Sequence, residues 1–178
     1  PNGVPDDFYA VLIGLARRAN VPCILDSRGV ALRRGLAAGP LLAKPNRHEA
    51  AELLGGDFDH GDRAVLDHFG ASIAVITLGS EGAVLHGPAG SWRAVSPSIQ
   101  PIDTVGAGDC FVAGLCAAFV EAAGTAPVQS VIDQPATLEK ALRLATAAAA
   151  ANTLTIGAGL FLKEDLLRLQ EQVTIQRM

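Results

Sequence analysis

A regular alternation of short apolar runs with helical segments constrains the fold of this chain more than any other feature. The runs at 22–25, 41–43 and 73–78 predict buried strands, and the segments 5–19, 30–38, 46–54 and 63–69 predict helices. A strand–helix alternation of this kind is typical of a mostly parallel sheet with helices on both faces. The sequence therefore predicts an α/β fold.

The first predicted helix has one apolar face. It follows the start signals Pro5 and Asp6, and the apolar residues that recur at helical spacing are Phe8, Val11, Leu12, Leu15, Ala16 and Ala19. In a strand–helix alternation a strand normally precedes such a helix, and no initiator methionine is present. We therefore expect residues 1–178 to be the C-terminal part of something longer.

The pattern changes after residue 82. Two short runs at 83–86 and 92–95 are joined by the turn-forming residues 87–90, which predicts a hairpin or an antiparallel edge of the sheet. The remainder is expected to be helical, with helices from Gly106 to about residue 123, over 136–151 and over 163–172. Residues 124–135 contain prolines and no periodicity, so they predict a surface loop.

Composition excludes several classes of function. The chain of 178 residues has the length of one domain, and 49% hydrophobic residues with a mean hydropathy of +0.31 can fill a core. A formal net charge of −4 and a pI near 5.5 leave no basic surface for nucleic acid. The uncharged stretch 144–162 contains too many Thr, Asn and Gly residues for a membrane span, so we expect no membrane partner.

The cysteines and histidines indicate neither a disulfide framework nor a transition-metal site. The cysteines are odd in number and lie in apolar segments, which indicates reduced thiols and a cytoplasmic protein. They are Cys23, Cys110 and Cys116, and no two have zinc-site spacing. The histidines are scattered along the chain at His48, His60, His68 and His86.

The segment 103–109, Asp-Thr-Val-Gly-Ala-Gly-Asp, carries the strongest chemical signal. Two glycines at a predicted helix start allow a tight turn whose N–H groups point at an anion. Asp109 would repel that anion in a simple phosphate-binding loop, whereas in phosphoryl transfer it can accept the proton of an attacking hydroxyl. A helix start with an aspartate cap is an alternative of about equal weight when the motif is taken alone.

A second motif, at 44–49, follows the predicted strand 41–43. Asn46 and Glu49 have the spacing of a helix capping box, and a plain N-cap carries about half the weight if the motif is taken in isolation. The two residues also stand at a strand end, where α/β sheets bind ligands. From there they could orient a hydrated Mg²⁺, which needs few protein ligands.

A third motif ends the predicted strand 73–78. Thr77, Gly79 and Gly82 form an arrangement that lets backbone approach a nucleotide closely, although glycines after a strand are more often plain turn residues. The sequence contains no P-loop, no complete dinucleotide-binding fingerprint and no protein-kinase motifs.

Taken in order, these motifs resemble those of the PfkB (ribokinase-like) family of carbohydrate kinases. They are Lys44-Pro45-Asn46-x-x-Glu49, Thr77-Leu78-Gly79-x-x-Gly82 and the segment 103–109. The resemblance runs essentially end to end and implies a Rossmann-like, mostly parallel sheet with helices on both faces. The Lys-Pro-Asn form, Asp26-Ser27 and the opening Pro-x-Gly-Val-Pro are similar to the branch that phosphorylates sugar phosphates.

The resemblance also implies a role for individual residues. Asp109 matches the catalytic base, and the residues whose backbone matches the anion hole are Val105, Gly106, Ala107 and Gly108. The residues that match nucleotide contacts are Lys44, Thr77, Gly79, Gly82, Thr155 and Gly157. Asn46 and Glu49 match the motif that positions magnesium, with Asp26 as a weaker candidate. Asp103 and Thr104 could support the turn.

These roles imply ATP and Mg²⁺ as cofactors and phosphoryl transfer to fructose 1-phosphate, fructose 6-phosphate or tagatose 6-phosphate. The resemblance also implies a homodimer for the full-length protein and places an ATP-binding and catalytic part in residues 1–178. The glycine-rich N-terminal part of the family, with most sugar contacts and a lid, has no counterpart here, so we expect the chain alone to be inactive. Two alternatives stay open: a ribokinase-like or nucleoside-kinase-like specificity, and a nucleotide-binding fragment without turnover.

Overall fold

The computed structural model describes residues 3–56, 63 and 65–178, which form two compact units. The first unit comprises Pro1–Thr77 with Val84–Pro88, and the second comprises Leu78–Ala83 with Ala89–Met178. The helices are α1 (Phe8–Arg18), α2 (Gly29–Ala37), α3 (Arg47–Leu54), α4 (Val65–Phe69), α5 (Ala107–Ala123), α6 (Pro135–Asn152) and α7 (Lys163–Gln172). The strands are β1 (Ile24–Leu25), β2 (Leu42–Ala43), β3 (Ile73–Thr77), β4 (Ala83–Gly87), β5 (Gly90–Val95) and β6 (Thr174–Arg177).

The first unit is built on parallel strands that lie side by side in chain order. β1 pairs with β2 and β2 with β3, both in parallel, and β3 has β4 as its other neighbour. The first four residues of β3 are fully buried, as expected for a parallel strand covered on both faces. The predicted strand–helix alternation is confirmed, and its carboxyl strand ends carry Asp26, Lys44 and Thr77.

Helix α1 forms as predicted, but its predicted apolar face is not buried. Phe8, Val11, Leu12 and Leu15 are each between 42% and 52% exposed. The buried residue of α1 is Ile13, which packs against α2 beside Gly35. Periodicity marks an apolar face, but only the tertiary structure decides whether anything covers it.

The second unit is dominated by the close packing of α5 against α6. A Cβ atom at Gly114 would lie 2.6 Å from the Cα of Ala145, so only glycine permits this approach. The alanine-rich part of α6 is correspondingly buried, and α7 packs on the same helix. This confirms the prediction of a buried helix at 136–151. No helix among the described residues is long and apolar enough to cross a membrane.

Two expectations for the second half are wrong. The remainder is not wholly helical, because β6 follows α7 and pairs antiparallel with β5, with Trp92 opposite Arg177. This pairing also makes β5 part of an antiparallel edge, one of its two predicted forms. The loop 124–135 contains a short 3₁₀ helix (Val128–Ser130) and buries Val131 and Ile132, so it is not purely a surface loop.

Two of the sequence predictions extend beyond the described residues. The predicted helix 63–69 is seen as Val65–Phe69, and Ala64 lies outside the described part of the chain. His60 lies outside it as well. All three cysteines are free thiols, as predicted. Among residues 3–56, 63 and 65–178, no three His, Cys, Asp or Glu side chains group together as a metal site.

Candidate active site

The residues selected from the sequence fall into two groups, one in each unit. The strand-end cluster lies in the first unit and consists of Asp26, Lys44, Asn46, Glu49 and Thr77. The second unit contains Gly79 and Gly82, the turn 103–109 and the residues 153–162 that follow α6, which we call the return loop.

Asn46 and Glu49 form a complete capping box at the start of α3. The Asn46 side chain accepts a hydrogen bond from the Glu49 N–H at 2.9 Å, and Glu49 Oε2 accepts one from the Asn46 N–H at 2.8 Å. The cap uses one carboxylate oxygen of a half-buried side chain and keeps Glu49 at the carboxyl end of β2. A magnesium ion held mainly by water and phosphate needs only one or two carboxylates, so Glu49 fits such an ion.

Lys44 and Asp26 form an ion pair across the ends of β2 and β1. The Lys44 ammonium lies 3.0 Å from Asp26 Oδ2, and the lysine side chain is only 5% exposed. A buried ammonium requires such a partner, because an uncompensated charge in the interior is costly. Since the ammonium already neutralises Asp26, this carboxylate fits a divalent cation less well than Glu49 does.

The structure brings Asn46 and Thr77 side by side. They form a parallel bridge between the last residue of β3 and a residue just beyond the end of β2, and the Thr77 N–H donates to the Pro45 carbonyl at 3.1 Å. Asn46 of the second motif and Thr77 of the third are therefore neighbours at the carboxyl ends of these strands. This is where ligands bind in open α/β sheets.

The two glycines after Thr77 differ in what surrounds them. A Cβ at Gly82 would lie 2.0 Å from the Ala94 carbonyl oxygen, so this glycine is required by chain packing. A Cβ at Gly79 would meet nothing within 4 Å, and its φ of +64° favours glycine. Gly79 therefore opens a stretch of backbone to solvent, whereas Gly82 is explained by the fold.

The turn 103–109 is held by its first aspartate. Asp103 Oδ1 accepts a hydrogen bond from the Val105 N–H at 3.0 Å, and Oδ2 accepts one from the Gly157 N–H in the return loop at 3.1 Å. These backbone hydrogen bonds, that of Val105 foremost, lower the pKa of Asp103 below its ordinary value. The ionised Asp103 carboxylate therefore stabilises the turn, the supporting role expected from the sequence.

Gly106 permits the close contact between the turn and the return loop. Its φ is +83°, and a Cβ there would lie 2.6 Å from the Cβ of Ala158. The N–H groups of Val105 and Ala107 donate within the turn, to Asp103 Oδ1 and the Thr104 carbonyl. The N–H groups of Gly106 and Gly108, at the start of α5, are not used by these two bonds and can donate to an anion.

Asp109 stands in the first turn of α5 with an exposed side chain. An acidic group at this end of a helix is favoured by the helix dipole. Its neighbour Cys110 is buried, and desolvation raises the pKa of that thiol above its ordinary value, with a smaller contribution from the Asp109 charge. The exposed carboxylate beside free helical N–H groups can take a proton from a hydroxyl close to a bound phosphate.

The return loop is closed by its own hydrogen bonds. The Thr155 hydroxyl lies within hydrogen-bonding distance of the Leu160 and Asn152 carbonyls and can donate its one hydrogen to either. Gly157, with φ of +107°, donates its N–H to Asp103. Two supporting residues were not predicted from the sequence. The Thr153 carbonyl accepts hydrogen bonds from the N–H groups of Ile102 and Asp103 at 2.7 and 3.2 Å. The buried Asn152 is the other, and its one signal in the sequence is a lone amide at the end of an alanine run.

Comparison with known proteins decides the family. The family described as "pfkB family carbohydrate kinase" matches residues 1–165, which is most of the chain. The chain belongs to the pfkB family of carbohydrate kinases. The family resemblance inferred from the sequence is thus confirmed.

Relatives within the pfkB family are similar along nearly the whole chain. The 1-phosphofructokinase of Escherichia coli K12 is 33% identical over 99% of the chain, and that of Xanthomonas campestris pv. campestris is 35% identical over 83% of it. The solved phosphofructokinase-2 of Escherichia coli, in complex with potassium, superposes with a TM-score of 0.78 at 27% identity over 97% of the chain. This confirms the predicted α/β, ribokinase-like fold.

The chain spans about half the length of the curated relatives it matches. It covers 54% of the Escherichia coli 1-phosphofructokinase, 45% of the Xanthomonas enzyme and 54% of the solved phosphofructokinase-2 chain. Another solved form of phosphofructokinase-2 is described as tetrameric and inhibited, and the chain covers 53% of it.

Proposed function

We propose that this chain is the ATP-binding and catalytic part of a kinase that phosphorylates a sugar phosphate. The observation that carries the proposal is the exposed Asp109 carboxylate beside the N–H groups that start α5. Relatives named 1-phosphofructokinase and phosphofructokinase-2 support a phosphorylated ketohexose as substrate. Fructose 1-phosphate, fructose 6-phosphate and tagatose 6-phosphate are the candidates.

The proposed reaction needs one proton acceptor and one anion site. Asp109 takes the proton from a substrate hydroxyl, and the oxygen of that hydroxyl attacks the γ-phosphorus of ATP. The bond from the γ-phosphorus to the β,γ-bridging oxygen breaks, and ADP leaves. The N–H groups of Gly106 and Gly108 stabilise the negative charge on the transferred phosphoryl group.

The strand-end cluster supplies the remaining charges in this proposal. Glu49, held by its capping box with Asn46, would bind Mg²⁺ through water, and Asp26 is the weaker candidate. When bound, the ion would neutralise charge on the β- and γ-phosphates. By resemblance Lys44, at the end of β2, would lie near the nucleotide phosphates, with its ammonium paired with Asp26. Thr77 and Gly79 present backbone to the nucleotide, as do Gly82, Thr155 and Gly157 by resemblance.

A product assay tests this function. Because the chain spans half the length of its relatives, the assay uses the extended protein, meaning this chain together with any residues encoded upstream of it. ATP and Mg²⁺ are supplied with each candidate sugar phosphate and, separately, with fructose, ribose and adenosine, and products are identified by ³¹P NMR. We expect a bisphosphate from one or more sugar phosphates. ATP-dependent product from ribose or adenosine alone would favour the alternative specificity, and no product from any acceptor would contradict kinase activity.

We also propose a homodimer as the state of the extended protein. The implied dimer rests on the family resemblance, and light scattering of the extended protein measures it directly. A monomeric mass at micromolar concentration would contradict it.

A further inference from the structure

Asn152, the last residue of α6, is a polar side chain in a very apolar place. Its exposed fraction is 0%, and it follows a run of five alanines. Burying an amide costs free energy unless its hydrogen bonds are satisfied. The position of this side chain therefore points to specific partners rather than to packing.

Those partners come from three different segments. The Asn152 Nδ2 donates to the Val105 carbonyl at 2.8 Å, and its Oδ1 accepts from the Gly159 N–H at 2.7 Å. The same Oδ1 accepts from the Cys110 thiol at 3.4 Å. One side chain thus joins the turn 103–109, the return loop and the first turn of α5.

The contact with Val105 has a consequence for Gly106. The carbonyl of Val105 and the N–H of Gly106 belong to one planar peptide unit, so they point in opposite directions. Fixing the carbonyl on Asn152 therefore fixes the direction of the Gly106 N–H. Rotation of this peptide plane would turn that N–H away from a bound phosphate.

The other hydrogen bonds between the turn and the residues after α6 involve Ile102 and Asp103, which precede Val105 in the chain. Thr153 accepts from the N–H groups of Ile102 and Asp103, and Gly157 donates to the Asp103 carboxylate. These bonds hold the entry to the turn. Of Asn152, Thr153 and Gly157, only Asn152 forms hydrogen bonds with the peptide unit that contains the Gly106 N–H and with Cys110.

We infer that Asn152 is a positioning residue that fixes the Gly106 peptide for phosphoryl transfer. This inference rests on the proposed function, and it assigns Asn152 no contact with substrate. Misplacing a transition-state donor by a small distance lowers kcat more than it lowers substrate binding.

Two variants test the hydrogen-bond donor and the hydrogen-bond acceptor of the Asn152 side chain. Asn152→Asp keeps the shape and the oxygen that accepts from Gly159, but sets a carboxylate oxygen against the Val105 carbonyl. Asn152→Ala removes every bond. Thr146→Val is the matched control, because Thr146 is a buried polar residue of α6 whose hydroxyl donates only to the Leu142 carbonyl of its own helix.

In the extended protein we expect Asn152→Asp to lower kcat roughly 10²-fold. The KM values for ATP and sugar phosphate should stay within about threefold, and Asn152→Ala should lower kcat similarly. Thr146→Val should keep the kcat of the unaltered protein. A kcat for Asn152→Asp equal to that of Thr146→Val would overturn the inference, even if its Tm were lower.

Amide NMR of the extended protein decides the same point without catalysis. In Asn152→Asp the resonance of the Gly106 amide should shift, because its peptide plane is released, while the Gly159 amide keeps its acceptor and its protection from exchange. An unchanged Gly106 amide would overturn the inference. If the unaltered extended protein makes no product, the proposed function fails, and the Gly106 amide still shows whether Asn152 fixes that peptide.

Discussion

Glu49 combines two roles that single substitutions can separate. Its carboxylate caps α3 through the Asn46 N–H, and we propose that it also orients magnesium. Glu49→Gln keeps an oxygen for the cap but removes the charge, so we expect a higher magnesium requirement with nearly unchanged Tm. Glu49→Ala removes both roles and should also cost about 1 kcal/mol of stability. Activity of the extended protein titrated against Mg²⁺, together with thermal melts, measures the two effects.

The comparison between these two variants is the control. If the magnesium curve of Glu49→Gln coincides with that of the unaltered protein, Glu49 is a capping residue and no more. In that case Asn46 and Glu49 explain the start of α3 but contribute nothing to metal binding.

At the scale of elements, the turn 103–109 and the return loop depend on one ionised carboxylate. The folded-state pKa of Asp103 lies below its ordinary value of 3.8, so its stabilising effect is present above that value and is lost as pH falls through the folded pKa. We expect Asp103→Asn to lower Tm at pH 7, because Val105 and Gly157 donate to different oxygens of the carboxylate and an amide has only one oxygen. The difference in Tm should shrink as the pH falls below about 3.8.

Thermal melts of the unaltered protein and of Asp103→Asn between pH 7 and pH 3 test whether the Asp103 carboxylate stabilises the turn. A difference in Tm that stays constant across the range would show that the charge of Asp103 is irrelevant. Asp133→Asn, in the loop 124–135 and exposed, controls for the loss of a surface charge.

Most elements were predictable because local signals and burial agree in them. The buried strand β3 and the helix α7 lie where periodicity places them, and Asn46 caps α3 as its spacing predicts. Strand β6 was missed because its residues are mostly exposed and follow a helix directly, so neither alternation nor turn residues mark it. Its partner β5 lies about 80 residues away in the chain, a distance that local patterns do not report.

The candidate site was predictable in its motifs but not in its connections. Asp103, Gly106 and Asp109 stand out by residue type and spacing. The side chains that support them, above all Asn152, lie some 45 residues later, and a lone amide after an alanine run does not report which residues it contacts. The sequence also could not separate capping from metal binding at Glu49, because both need the same residue at the same place.

At the scale of the whole molecule, the exposed face of α1 predicts self-association of this chain when it is made alone. Phe8, Val11, Leu12 and Leu15 present a continuous apolar surface, and such surfaces drive association. We expect the chain to self-associate or to be poorly soluble, and to show no kinase activity. Val11→Glu combined with Leu15→Lys should raise the monomer fraction, because the pair adds charge at helical i, i+4 spacing.

Size-exclusion chromatography with light scattering measures this association. Leu167→Lys, on the exposed side of α7, is the control for added charge at another apolar surface position and should change the mass distribution little. A monodisperse monomer of the unaltered chain that phosphorylates fructose phosphates at ordinary rates would show that the chain is complete as an enzyme.

The most direct test of the account is phosphoryl transfer by Asp109→Asn in the extended protein. If the turn 103–109 is the site of proton transfer, this change should lower kcat on the order of 10²–10⁴-fold while the Kd of ATP stays nearly unchanged. Asp133→Asn should leave both values as they are. Near-normal turnover by Asp109→Asn, measured as ADP release in the presence of the preferred sugar phosphate, would contradict the assignment of this turn as the catalytic site.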